Sequence, residues 1–287
     1  MNIIRLVNIH NEEDILRENL NWYMNQGIPI LANNNSSTDR SNEILQSYVG
    51  KGVLEVNNIH TKYFDRDLLF DEISKLSHKY NPDWLIFADC DEFYEPADPQ
   101  FGNLTELIKQ VDSEGDNLIQ FHNCEFWMTP VDDYSIENPL KRIKHYSYFD
   151  SNRFKAFKFY DGFSLVPKKG HGPTFPDNVD IRLSDRKGIS RHYKFRNLEQ
   201  ASYKIKRVVP EPDKPNFGFH YNKFKEDASW YIINPEKLNF YKEDSNWNLE
   251  RKFDGNRMNR EELCAYLGLQ DLNALEEWFQ DRAKIRK

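Results

Sequence analysis

Cysteine is nearly missing from this chain: three residues, Cys90, Cys124 and Cys264, stand far apart in 287 positions. No CxxC pair occurs, so neither a cysteine-built zinc site nor dithiol redox chemistry has its ligands, and three scattered thiols make no disulfide framework. A reducing compartment is the expected setting. Long apolar runs are missing too. No stretch approaches the roughly eighteen apolar residues of a membrane span. The first ten residues, Met1 to His10, show a short apolar alternation in place of the charged and then apolar regions of a leader. The chain is therefore expected to be cytoplasmic, and a lipid-linked partner would be reached from the membrane surface or through another protein. Cationic excess is the third absence: 39 Lys and Arg against 46 Asp and Glu leave a net charge of −7. That balance excludes the broad positive footprint of a general nucleic-acid binder. There is no internal repeat and no low-complexity tract.

What the chain does have is aromatic material, 14% of residues, with 20 Phe, 15 Tyr and 6 Trp. Such rings fill cores, and they also pack against sugar rings. The length suits one large α/β domain with or without an appended C-terminal element. Ile3 to Ile9 reads as a buried strand, Asn11 as a helix N-cap with Glu12, Glu13 and Asp14 in the first turn, and Leu16, Leu20, Tyr23 and Met24 as one helical face ending at Gly27. A strand at Ile28 to Ala32, a helix over Ser41 to Val49, a strand at Val53 to Val56 and a helix over Asp65 to Tyr80 follow. Trp84 to Ala88 is a continuous apolar run, the pattern of a central parallel strand buried on both faces. Three such alternations in ninety residues predict a doubly wound, Rossmann-like α/β sheet. A helix near Leu104 to Val111 and a strand near Leu118 to Phe121 come next; Asn123 to Pro215 reads as loops and short strands, and Asp271 caps a helix carrying Leu272, Leu275 and Phe279. The expected division is a main domain over residues 1–225, split into halves 1–100 and 101–225, with a helical extension over residues 226–287 packed on it.

The segment Asp89-Cys90-Asp91-Glu92-Phe93 places three carboxylates directly after the buried strand. Open α/β sheets bind ligands beyond the carboxyl ends of their strands. Three acids there would repel one another and have raised pKa values unless a cation compensated them, and Asp89 and Asp91 are spaced to reach one hard divalent ion together. Arg66, Lys155, Lys168 and Lys169 are candidates for offsetting phosphate charge.

In this order and spacing the residues resemble glycosyltransferase family two and related GT-A enzymes. Such enzymes begin with a strand ending in Asn-Glu, here Asn11-Glu12, continue with an Asp-Asn-x-Ser-x-Asp turn, here Asn34 to Ser41, and then reach an Asp-x-Asp-Glu-Phe signature, here Asp89 to Phe93. The resemblance covers about the first hundred residues. It implies a GT-A fold with a mixed sheet, a loop-rich acceptor half and C-terminal helices. It implies also that His10, Glu12, Asn34 and Asp39 line the nucleotide pocket, and that Asp89 and Asp91 hold the donor diphosphate through Mn²⁺ or Mg²⁺. Asn34 stands where the family commonly has Asp, so the identity of the base is left open. In a second reading Asn34 and Asn35 are turn residues with left-handed backbone. A further resemblance, His192 followed by an aromatic, a basic residue and a short helix with Glu and Lys, implies that His192 completes the metal site or contacts the phosphates. His171 between two glycines is a weaker parallel.

The implied activity is a metal-dependent, inverting, hexosyltransferase-like transfer from a nucleotide-diphosphate sugar to a glycan, lipid-linked glycan or protein, as in polysaccharide biosynthesis. An inverting transfer needs a base, and Glu125 is the chosen candidate, with Phe126 and Trp127 beside it as a sugar platform and Asp132 and Asp133 as alternatives. Two rival readings stand beside this one. A nucleotidyltransferase would have a Gly-rich loop and a Lys after the first strand, where this chain has His10 to Glu13. A non-catalytic glycan-binding protein on the same fold would have no use for Asp89 and Asp91.

Overall fold

The computed structural model describes residues 1–61, 65–166, 172–207, 231–243, 246–250 and 258–283. By its contacts the chain forms two units, Met1–Asn123 with Asp150–His192, and Cys124–Phe149 with Tyr193–Lys287. Each unit is made of two separate stretches. The reason is two long strands, β6 (Leu118–Trp127) and β7 (His145–Lys158), each of which gives residues to both units.

The first unit opens with three βα repeats: β1 (Ile3–Ile9), α1 (Glu13–Met24), β2 (Ile30–Asn35), α2 (Ser41–Tyr48), β3 (Val53–Ile59), α3 (Arg66–Tyr80) and then β4 (Trp84–Phe87). β2 pairs parallel with both β3 and β1, and β1 pairs parallel with β4. The order is thus β3, β2, β1, β4, with the direction of winding reversing between β1 and β4. In sheets of this kind the carboxyl ends of the two strands at the reversal frame the ligand crevice. Beyond β4 the order continues through β7, β6, β10 (Gly188–His192) and β5 (Glu92–Pro96), while β8 (Ser164–Val166) and β9 (Gly172–Thr174) pair antiparallel as a separate two-stranded sheet. β7 runs antiparallel to β4, and β10 antiparallel to β5, so the sheet is mixed.

Local chemistry explains most boundaries. β1 and β4 are apolar and buried along nearly their whole length, as strands covered on both faces must be. Asp65 caps α3 by accepting the Leu68 N–H at 3.1 Å, and the helix ends at Asn81 in left-handed backbone (φ 44°), where Pro82 prevents continuation. Asn103 caps α4 (Leu104–Ser113), whose Leu104, Leu107, Ile108 and Val111 are buried on one face. On the α3 side of the sheet Ile4, Leu6, Leu31, Leu85, Phe87 and Phe157 pack with Phe70, Ile73 and Leu76.

Four local expectations need correction. Asn11 does not cap α1; the residue before the helix is Glu12, which makes no side-chain cap. Asn34 and Asn35 are the last residues of β2, and the left-handed residue after them is Ser36 (φ 50°). The acidic signature does not stay in a loop, because Glu92 begins β5. The stretch read as loops contains the fourteen-residue strand β7. Its alternation, His145-Tyr-Ser-Tyr-Phe-Asp-Ser-Asn-Arg-Phe-Lys, is hidden because polar and charged side chains occupy inward positions.

In the second unit β11 (Asn239–Phe240) pairs antiparallel with His145 and Tyr146, and helices Arg260–Tyr266 and Leu272–Ala283 follow. Among the described residues no helix is long and apolar enough to cross a membrane. Phe126 is stacked between Tyr146 and Tyr193, and Trp127 donates its indole N–H to Ser147 Oγ at 2.8 Å. Both are buried, so they are core residues and not an open sugar platform. Asp132 is buried too and accepts from the Thr129 N–H and Oγ at 2.9 and 2.7 Å. Burial outweighs those two bonds and pushes its carboxyl up to about 6.

An acid whose folded-state pKa is raised from 3.8 to about 6 takes up more protons folded than unfolded between those values. Its contribution to stability therefore falls as pH rises through that window and is level above it. At about 1.4 kcal/mol per unit, the loss is on the order of 2–3 kcal/mol. Denaturant titration at pH 4 and pH 7 should show wild type losing about that much relative to Asp132→Asn, which cannot ionise. A difference independent of pH would contradict the assignment.

Candidate functional site

The site is built where β4 ends. Arg5, fully buried on β1 with its guanidinium 4.2 Å from the centre of the Tyr23 ring, donates from Nη2 to the carbonyls of Ala88 (3.1 Å) and Asp89 (3.3 Å). The chain then turns: the Glu92 N–H donates to Asp89 O at 3.1 Å, and the Asp89 N–H donates back to Glu92 Oε2 at 3.3 Å. The turn is closed from both ends, with Asp89 half-buried and Asp91 buried within it. β5 leaves the turn paired with β10 in a register that sets Glu92 opposite His192. His192 Nε2 consequently lies 3.6 Å from Asp91 Oδ1.

The three carboxylates are not alike. Glu92 is surrounded by cations of the protein itself: Arg153 pairs with Oε1, Lys155 Nζ is 3.7 Å from Oε2, and the Tyr94 hydroxyl donates to Oε2. Burial alone would raise its pKa, but Lys155, Arg153 and His192 together with the Tyr94 hydrogen bond hold it well below the ordinary carboxylate range. Asp89 is pushed the other way, first by burial, then by the charge on Glu92 and also that on Asp91, with Lys155 and His192 opposing. The expectation that three acids need a metal ion is thus corrected for Glu92, whose partners are Lys155 and Arg153. Lys155, expected among the cations facing phosphate, is buried beneath the turn, its Nζ 4.9 Å from the Phe87 ring centre. Among the described residues no three of His, Cys, Asp and Glu are placed to share a metal ion. Of the trio Asp89, Asp91 and His192, the last two approach each other, Asp91 Oδ1 lying 3.6 Å from His192 Nε2.

The residues expected around the nucleotide lie at the carboxyl ends of β1 and β2, and the structure laces these two ends together. His10 Nδ1 is hydrogen-bonded to Asn35 O. Asn11, at φ 51°, accepts from the Thr38 N–H at 2.7 Å and donates to Thr38 Oγ at 3.0 Å. The Glu12 N–H donates to Ser41 Oγ at 2.8 Å. Asp39 accepts from the Glu13 N–H at 3.1 Å and the Ser41 N–H at 2.9 Å, so one carboxylate serves the first turns of both α1 and α2. Helix N-termini favour a negative charge, and here the chain supplies it. Asn34 is buried, donating to Asn58 Oδ1 at 2.9 Å. Asn33, one residue earlier, donates to Asn8 Oδ1 at 2.9 Å and Leu69 O at 3.0 Å. A row of amides at the ends of three adjacent parallel strands was not anticipated; the runs Asn33-Asn34-Asn35 and Asn57-Asn58 were its signal.

Arg66 is the first residue of α3; its side chain, like Lys168, Lys169 and His171, lies outside the described residues. Glu125 is half-buried on β6 and belongs to the second unit, whereas Asp89, Asp91 and His192 belong to the first. Asp132 and Asp133 are engaged locally with Thr129 and Ser135.

Removal of the Asp39 carboxylate strips two helix starts of an acceptor. At about 1 kcal/mol for a lost cap, Asp39→Ala should lower the unfolding free energy by about 2 kcal/mol in a urea titration without any ligand. An unchanged midpoint would return Asp39 to a role in ligand contact alone.

The solved structures that share a loose likeness with the chain include the following three. One is S. aureus TarS 1-349, at 13% identity and a TM-score of 0.42, covering 78% of this chain and 69% of that one. The same protein in complex with UDP gives 11%, 0.39, 78% and 70%. The third, HddC from Yersinia pseudotuberculosis complexed with GMP-PN, gives 10%, 0.27, 79% and 99%. At these scores the likeness carries no inference about function. No curated protein matches the chain. A family model does: that of glycosyltransferase family 92 matches residues 7–159, just over half of the sequence, a span that contains the laced β1 and β2 ends, the Asp89 to Glu92 turn, Arg153 and Lys155. The sequence motifs pointed to family two, but the chain belongs to glycosyltransferase family 92.

Proposed function

We propose that this glycosyltransferase moves a hexosyl residue from a nucleotide-diphosphate sugar to a hydroxyl of a glycan, lipid-linked glycan or protein acceptor. The observation that carries this reading is the closed turn at the switch point of the sheet. It sets Asp91 Oδ1 and His192 Nε2 3.6 Å apart at the carboxyl end of a buried parallel strand, with Asp89 in the same turn. Glu92, by contrast, is already neutralised by Arg153 and Lys155.

An oxygen and an imidazole nitrogen fit Mn²⁺ or Mg²⁺ of the kind that takes only one or two protein ligands and completes its shell with phosphate oxygens and water. Asp91 and His192 would hold the ion, with Asp89 beside them. When bound, it would stabilise the negative charge that develops on the departing nucleoside diphosphate. The chain's own part is positional. Arg5 and Glu92 fix the backbone of the turn, and the β5–β10 register fixes His192 against Asp91. The amide row led by Asn34 lies next to the laced loops, where the nucleoside would bind. An inverting displacement also needs a base for the acceptor hydroxyl, the part assigned to Glu125 from the sequence.

The test is Asp91→Asn, which keeps the shape of the side chain and removes its charge. Release of nucleoside diphosphate from a panel of UDP-, GDP-, CDP- and dTDP-sugars in the presence of Mn²⁺ should fall by about a hundredfold or more. The circular dichroism spectrum should match wild type. Full activity in the variant, unaffected by chelator, would contradict both the site and its metal.

A further inference from the structure

The side chain of Glu92 ties the turn that carries Asp89 and Asp91 to strand β7. Glu92 is 1% exposed. Its backbone N–H closes the far end of the turn on Asp89 O, and its side chain holds the near end through the Asp89 N–H. Its own carbonyl accepts from Asn19 Nδ2 and the Tyr23 hydroxyl at 3.0 Å each. The carboxylate then reaches Arg153 and Lys155, which stand two residues apart on β7 and so share a face of the sheet.

Stabilisation of the Glu92 charge does not by itself explain the burial of Lys155. Lys155 has no exposed surface, and among the described residues its Nζ has no hydrogen-bond partner; it lies 3.7 Å from Glu92 and 4.9 Å from the Phe87 ring centre. A buried ion pair without full hydrogen bonding is a poor stabiliser, and replacing such a pair with neutral side chains of similar volume is often neutral or better. What the pair does is restrict geometry. A carboxylate held between two cations on one strand face, and hydrogen-bonded to the residue that starts the turn, leaves the turn one position relative to the sheet.

We propose that Glu92, through Lys155 and Arg153, is a positioning residue for glycosyl transfer. It holds Asp91 in the one orientation that serves the reacting donor, and it contributes to turnover more than to donor affinity. Misplacement of a group by about an ångström can lower a rate about a hundredfold while leaving binding nearly intact. The inference rests on the reading of this turn as the donor site.

The experiment compares wild type, Asp91→Asn, Glu92→Asp and the double variant Glu92→Gln/Lys155→Met, which removes both buried charges at nearly constant volume. Hydrolysis of the same nucleotide-sugar panel with Mn²⁺ gives kcat and KM, and a thermal melt gives stability. The double variant should melt within a few degrees of wild type and keep its donor KM within about threefold, with kcat at least about tenfold lower. A folded double variant with kcat within about twofold of wild type would overturn the proposal. Should that variant not fold, Glu92→Asp, which keeps the charge on a shorter stem, should show the same split; a normal kcat there would overturn the proposal equally. Asp91→Asn separates the two readings. Loss of turnover in Asp91→Asn with normal turnover in the double variant removes only the positioning role, whereas full activity in Asp91→Asn removes the site itself.

Discussion

A carboxylate buried at the start of β5, just beyond the end of a parallel strand, is the constraint on which this molecule turns. Glu92 could not sit where it does as an isolated charge, since transfer of an unpaired carboxylate into a low-dielectric interior costs many kcal/mol. The chain answers with Lys155 and Arg153 from β7, a phenol from Tyr94 and the N–H of Asp89. The placement of β7 beside β4, antiparallel to the strands that precede it, brings those cations within reach. The neighbouring acids are left in a different state. Asp89 is pushed up by burial and by the charge on Glu92, and Asp91 is set against His192; under the proposed function these are the acids that would meet the metal ion.

The same economy governs the other side of the switch point. The loops after β1 and β2 bond to each other through Asn11, Ser37, Thr38, Asp39 and Ser41, and the first turns of two helices are satisfied from within. A ligand placed there meets a framework whose backbone is already fixed, which lowers the ordering cost of binding. The amide row along the ends of β1, β2 and β3 carries no net charge, and its β2 members are buried, with Asn33 and Asn34 donating to Asn8 and Asn58. Charge is concentrated in the turn between β4 and β5, and amides at the ends of β1 to β3.

Much of the first unit was legible in the sequence because its strands and helices obey single periods. Leu16, Leu20 and Tyr23, Leu69, Ile73 and Leu76, and the unbroken Trp84 to Phe87 announce elements that the structure contains. β7 was not legible, since Arg153 and Lys155 look solvated until their partner Glu92 is known, 61 and 63 residues earlier in the chain. The positions of Asp89 and Asp91 followed from the apolar run before them, but the different roles of Asp91 and Glu92 depend on strand pairings far apart in sequence. Phe126 and Trp127 misled for a related reason. An aromatic residue reads alike whether it faces a sugar or a stack of Tyr146 and Tyr193, and only the tertiary packing decides. Asp39 shows the converse case: a residue expected to touch a ligand is bonded to the starts of α1 and α2.

The central claim is that the Asp89 to Glu92 turn receives the donor's diphosphate and its metal ion. A crystal structure of the protein with Mn²⁺ and a nucleoside diphosphate, with manganese located by its anomalous signal, tests this most directly. The account predicts one manganese site between the carboxylate of Asp91 and Nε2 of His192, bridged to the diphosphate, with Glu92 still paired to Lys155 and Arg153. Manganese bound away from the turn, or a diphosphate seated elsewhere in the molecule, would contradict it.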